Sequence, residues 1–96
     1  MEYTKLGNTG ITVSRLCLGC MSYGGGKQPD WALPRDWALG AEEAREHFSI
    51  ALEAGINFFD TADVYSIGLS EEITGRWLNE MSLRDDFVLA TKVRGA

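Results

Sequence analysis

Residues 55–65 read GINFFDTADVY, and the run from Ile56 to Ala62 decides the fold. It is apolar through Phe58 and Phe59 and turns polar at Asp60, Thr61 and Asp63. Its apolar part does not alternate with polar residues, so it suits a strand buried on both faces, as in a parallel sheet. The polar residues then gather at the C-terminal end of that strand.

Working outward, the same grammar repeats. Upstream, residues 41–54, AEEAREHFSIALEA, place Ala44, Phe48, Ala51, Leu52 and Gly55 at helical spacing. Glu42 and Glu43 fall in the first turn, where the macrodipole favours anions. Gly55 is the expected stop. Downstream, residues 63–69 read as loop and Ser70 as the N-cap of a second helix, with Glu71 and Glu72 in its first turn. Ile73, Trp77, Leu78 and Met81 give that helix its apolar stripe. A third strand is expected from Phe87 to Val93, FVLATKV, apolar until Thr91 and Lys92. Residues 16–21 form another short apolar run and so a first strand. Before it, residues 3–14 read as a hairpin turning at Gly7, Asn8, Thr9 and Gly10, with Leu6, Ile11 and Val13 on one apolar face. Residues 22–40 hold three consecutive glycines, Pro29 and Pro34, and read as a long loop carrying Trp31 and Trp37.

Strands alternating with helices imply right-handed βαβ units and a parallel sheet. A dinucleotide-binding sheet would carry G-x-G-x-x-G after its first strand. Gly24, Gly25 and Gly26 do not match that pattern, and no helix opens at once after them. The expectation is therefore part of a (β/α)8 barrel.

The totals narrow the function classes. The 96 residues suffice for one small domain, with 45% hydrophobic and 24% charged residues, an ordinary globular balance. A net charge of −5 argues against a non-specific nucleic-acid binder. No apolar run approaches the roughly 18 residues of a membrane span. The first fifteen residues lack the apolar core of a signal peptide, so a cytoplasmic location is expected. Cys17 and Cys20 form a C-x-x-C string, which elsewhere marks a redox dithiol or half a zinc site. On a strand, positions three apart point to opposite faces, and no second Cys or His pair completes a metal site. Two small buried hydrophobes is the favoured reading, and redox chemistry the alternative.

Barrel enzymes carry their chemistry at the C-terminal ends of strands. Asp60, Tyr65 and Lys92 stand out there, each a polar group ending or following an apolar run. Neighbouring strands lie about 4.8 Å apart, close enough for an Asp60–Lys92 ion pair. Tyr65, five residues on, could fold back over it. A free tyrosine is a poor acid at neutral pH, but an adjacent ammonium favours phenolate and makes the phenol a usable proton donor to a carbonyl oxygen. Taken singly, a strand-end Asp often caps a turn, a Lys reaches solvent and a loop Tyr packs. Only their joint placement points to chemistry.

The segment GINFFDTADVYSIGLSEEITGRWL closely resembles the signature of the aldo-keto reductase family around its catalytic Asp and Tyr. VLATKV resembles the strand carrying that family's catalytic Lys, and YTKLGNTGITVSRLCLGCMSYGG its N-terminal hairpin and first strand. The likeness is greatest to the bacterial branch related to aryl-alcohol dehydrogenases and potassium-channel β subunits. It implies a single partial domain over 1–96, with the hairpin in 1–14 and the first barrel strands and helices in 15–96. It implies reduction of aldehydes or ketones by NADPH, with Tyr65 as general acid assisted by Lys92 and Asp60. Gly19, Cys20 and Met21 match positions lining the nicotinamide and its ribose, and Asp60 matches a residue near that ribose. Trp31 and Trp37 are candidate walls of a substrate pocket. The family's fourth catalytic residue, a His ending strand four, is not among the 96, and His47, mid-helix, is no substitute. The basic loops late in the barrel that grip the cofactor phosphates are also missing. The 96 residues alone are thus expected to be marginally stable, to associate through open sheet edges and to turn over little. The alternatives are a cofactor-binding regulatory subunit of the channel-β type and a truncated reading frame without independent function.

Overall fold

The computed structural model describes residues 1–24 and 39–93. A hairpin of β1 (Tyr3–Lys5) and β2 (Thr12–Ser14) comes first, followed by β3 (Leu18–Gly19) and helix α1 (Ala41–Glu53). Then come β4 (Phe58–Asp60), a 3-10 turn (Tyr65–Gly68), helix α2 (Leu69–Met81), a second 3-10 turn (Arg84–Asp86) and β5 (Val88–Ala90). β1 and β2 pair antiparallel, whereas β3, β4 and β5 form a parallel sheet in that order. This is the opening part of a (β/α)8 barrel, not a closed one. The expected pocket walls Trp31 and Trp37 lie outside the described residues.

Register decides which residues are core. Leu18 lies opposite Phe59, and Phe59 opposite Leu89. Paired residues share a face, so these three point the same way, against the helices. Phe59 is wholly buried beside Phe48 of α1 and Phe87, and Ala44, Ala51, Ile73, Trp77 and Leu78 complete the cluster. The other face carries Gly19, Phe58, Asp60, Val88 and Ala90. In a closed barrel that face looks inward. Phe58 stands on that open face. Phe59 belongs to the helix side, because the pleat turns adjacent side chains to opposite faces.

The hairpin turns where Gly7 and Gly10 take φ of 56° and 80°. The Leu6 amide donates to the Ile11 carbonyl at 2.8 Å. Its expected apolar face is not shared: Val13 is buried but Ile11 is 43% exposed. The hairpin is held to β4 instead by Asn57. The Asn57 Oδ1 accepts from the Ser14 amide at 2.6 Å, its own amide donates to Ser14 Oγ at 3.1 Å, and its Nδ2 to the Thr12 carbonyl at 3.3 Å.

Both helices follow their predicted stripes, with acidic residues in each first turn. The expected N-cap of α2 is wrong. Gly68, left-handed at φ 92°, occupies that position, and Ser70 lies within the first turn, fully buried. The strands are shorter than expected, yet parallel bonding runs past their ends. The Thr61 amide donates to the Ala90 carbonyl at 2.8 Å and the Asp63 amide to the Lys92 carbonyl at 3.1 Å.

Candidate active site

Asp60 ends β4 opposite Ala90, and Lys92 lies two residues beyond on the neighbouring strand's path. The parallel register therefore aims both side chains over the same strand end. The Lys92 Nζ donates to Asp60 Oδ1 at 2.9 Å and to the Thr61 carbonyl at 2.7 Å. The two side chains are 49% and 40% exposed, so the pair adds little to stability. The Asp60 carboxylate holds the Lys92 pKa above its ordinary value, partial desolvation opposes this, and the Tyr65 phenol adds to the rise. Lys92 is thus an ammonium at neutral pH.

Tyr65 opens the 3-10 turn that leads into α2, and the centre of its ring lies 5.1 Å from the Lys92 Nζ. After it the backbone is left-handed for three residues, Ser66 (φ 49°), Ile67 (φ 55°) and Gly68 (φ 92°). A β-branched residue in that region is an outlier. The bend reverses the chain between the strand end and the helix start. It also presses Ser66 against Gly24, where any Cβ would collide with the Ser66 side chain. The structure therefore brings Asp60, Tyr65 and Lys92 together at one rim of the sheet.

The residues matched to cofactor positions divide. Gly19 is exposed opposite Asp60, with open space where a side chain would stand, and Met21 is 47% exposed. Cys20 is fully buried, its Sγ turned into the core, and offers only backbone to the rim. Burial pushes its thiol up to about 11. Cys17 corrects the reading of both cysteines as buried hydrophobes: it is exposed and free. Partial burial, then the Asp60 charge, raises its pKa. The two thiols do diverge, as expected of positions three apart. His47 is exposed on α1, 3.1 Å from the Tyr23 hydroxyl and away from the rim.

One part of the rim was not foreseen. Ser70 Oγ donates to the Cys20 carbonyl at 2.6 Å and lies 2.7 Å from Thr61 Oγ1, all of it buried. The signal was present. Position 70 precedes 73, 74, 77 and 78 by helical steps and so shares their buried stripe; reading Ser70 as a cap obscured it.

A sequence model of the Aldo/keto reductase family matches residues 15–96. The chain belongs to that family. Among its reductase relatives is the versiconal hemiacetal acetate reductase of Aspergillus parasiticus, 43% identical over 93 residues, covering 96% of this chain and 25% of that protein. A "probable voltage-gated potassium channel subunit beta" of Arabidopsis thaliana is 34% identical over 94 residues, covering 97% and 25%. The solved aldo-keto reductase of Bacillus halodurans, in its holo form, superposes with a TM-score of 0.75 at 38% identity, covering 97% of this chain and 26% of that one. The chain spans about a quarter of the length of the relatives it matches.

Proposed function

We propose that this segment is the proton-transfer side of an NADPH-dependent reduction of aldehydes or ketones to alcohols. The observation that carries the reading is the Lys92 ammonium, held by Asp60 and the Thr61 carbonyl and lying beside the Tyr65 ring. An ammonium next to a phenol stabilises the negative charge that proton donation leaves behind. Tyr65 would give its proton to the carbonyl oxygen of the substrate. Lys92 would hold the phenolate so formed, and Asp60 would keep Lys92 charged and in place. Membership of the aldo-keto reductase family supports the reduction of a carbonyl as the reaction class.

The rim suits a flat nicotinamide. Gly19 leaves the sheet end open to a ring, Met21 is an exposed apolar neighbour, and the half-exposed Asp60 carboxylate can accept from a ribose hydroxyl. NADPH supplies the hydride when bound. Cys20 would contribute backbone alone. The later strands of the barrel would supply the fourth catalytic residue and the phosphate grip, so the 96-residue polypeptide by itself would turn over little. It would associate through the free edges of β3 and β5, since unpaired strand edges recruit other chains.

Purified chain assayed with NADPH and a reactive aromatic aldehyde tests this. The expected result is negligible turnover alone, and turnover once residues 1–96 are joined to the later strands of the Bacillus halodurans reductase. Tight cofactor binding without turnover in the joined protein would favour a regulatory role like that of a channel β subunit. Turnover by the 96 residues alone at the rate of a complete reductase would contradict the division of labour.

A further inference from the structure

The hydroxyls under the rim form a one-way chain. Ser70 has a single proton, and it goes to the Cys20 carbonyl at 2.6 Å, an acceptor that has no proton to give. The 2.7 Å contact between Ser70 Oγ and Thr61 Oγ1 must then be donated by Thr61. The order is Thr61 to Ser70 to Cys20, with each member at or below 1% exposure. Such a chain joins three elements: the residue after β4, the first turn of α2 and the residue after β3.

Both ends of this chain touch the proton-transfer group. Thr61 is gripped three ways: its amide donates to the Ala90 carbonyl, its hydroxyl to Ser70, and its carbonyl accepts from Lys92 at 2.7 Å. The Cys20 amide donates to the Asp60 carbonyl at 2.8 Å. Ser70 also lies five residues past Tyr65, beyond the left-handed bend, and so anchors the far end of the loop that carries the phenol. Ser70 sits where all three catalytic candidates can be displaced by one change.

We infer that Ser70, acting through Thr61 and Cys20, is a positioning residue that fixes the Lys92 ammonium and the Tyr65 loop in one arrangement. This rests on the proposed reductase reading for its catalytic meaning, though the geometry stands without it. Without the Ser70 hydroxyl, the Thr61 side chain loses its only acceptor in the hydroxyl chain. Of its three grips only the backbone bond to Ala90 and the bond from Lys92 remain, so its carbonyl can shift and the shorter bond of the Lys92 ammonium weakens. A buried serine with a merely structural role would loosen the whole fold and leave Lys92 no more affected than any other lysine.

Competitive acetylation separates the two. The chain has three lysines, Lys5, Lys27 and Lys92, and Lys5 lies in the hairpin, bonded to Thr12 Oγ1 and remote from the rim. Acetic anhydride labelling of the folded chain, read by mass spectrometry as the Lys92:Lys5 ratio, reports how firmly Lys92 is held. Ser70→Ala is expected to raise that ratio roughly three- to tenfold, the factor that loss of one hydrogen bond implies. Thr61→Val, which keeps the shape and removes only the upstream hydroxyl, is expected to raise it as well. Ile73→Val, a core change on the same helix, serves as the control and is expected to leave it unchanged. If Ser70→Ala does not fold, Thr61→Val decides. An unchanged ratio in the folded variants, or an equal rise in the control, overturns the inference. The ratio needs no turnover, so a failed reductase assay leaves this test intact.

Discussion

Replacing Phe59 and Phe58 one at a time by alanine tests which face of the sheet is core. Phe59 has no exposed surface, and its ring lies 5.9 Å from that of Phe48 and 6.5 Å from that of Phe87. Truncating a buried phenylalanine costs about 3–5 kcal/mol, a sum that includes ring pairs worth about 0.5–1.5 kcal/mol each. A chain of this size has roughly 5–14 kcal/mol of stability in all. Phe58, half-buried on the open face, stands to lose only about 1 kcal/mol. At about 4–8 °C per kcal/mol for a domain of this length, Phe59→Ala should lower the Tm by about 12–40 °C. Phe58→Ala should lower it by only about 4–8 °C. Far-ultraviolet circular dichroism during heating measures both. Equal losses, or a larger loss at Phe58, would mean that β4 pairs in a different register, and that Asp60 stands on the other face.

Asn57→Ala should cost about 1–3 kcal/mol by leaving the Ser14 amide without its acceptor, and should free the hairpin selectively. Hydrogen exchange should quicken in residues 3–14 well before it does in α1 or α2. In alkali, the buried Cys20 thiol, ordinarily at 9.0, keeps its proton up to about 11 in the folded state. Its contribution is therefore complete below pH 9 and lost as pH rises toward 11, a fall of about 3 kcal/mol that urea titrations in wild type should show and Cys20→Ala should largely remove. Under native conditions iodoacetamide should label Cys17 and spare Cys20, with both labelled after unfolding; equal native rates would contradict their different burial.

Periodicity made the helices and the strand order legible, because amphipathic stripes and apolar runs are local signals. It also put Asp60 and Lys92 at adjacent strand ends, since a parallel sheet aligns the ends of successive runs. Three features were not legible for want of tertiary context. Adjacent Phe58 and Phe59 look alike in a continuous apolar run, and only the pairing with Leu18 and Leu89 assigns their faces. Cys17 and Cys20 look equally apolar, yet the pleat exposes the first and buries the second. Ser70 satisfies the chemistry of an N-cap, but the left-handed bend from Ser66 to Gly68 lets the helix start two residues sooner, at Leu69, which places Ser70 inside its first turn. Ile67 in a left-handed conformation contradicts local preference, and it lies in the loop carrying the proposed proton donor, where strain of this kind concentrates.

The Tyr65 hydroxyl is the centre of the proposed chemistry. In a barrel formed by joining residues 1–96 to the later strands of the Bacillus halodurans reductase, kcat for an aromatic aldehyde should be compared between the parent and Tyr65→Phe. Loss of a positioned general acid predicts a fall of about 10²- to 10⁴-fold with NADPH affinity retained. Parent-like turnover by Tyr65→Phe would contradict it.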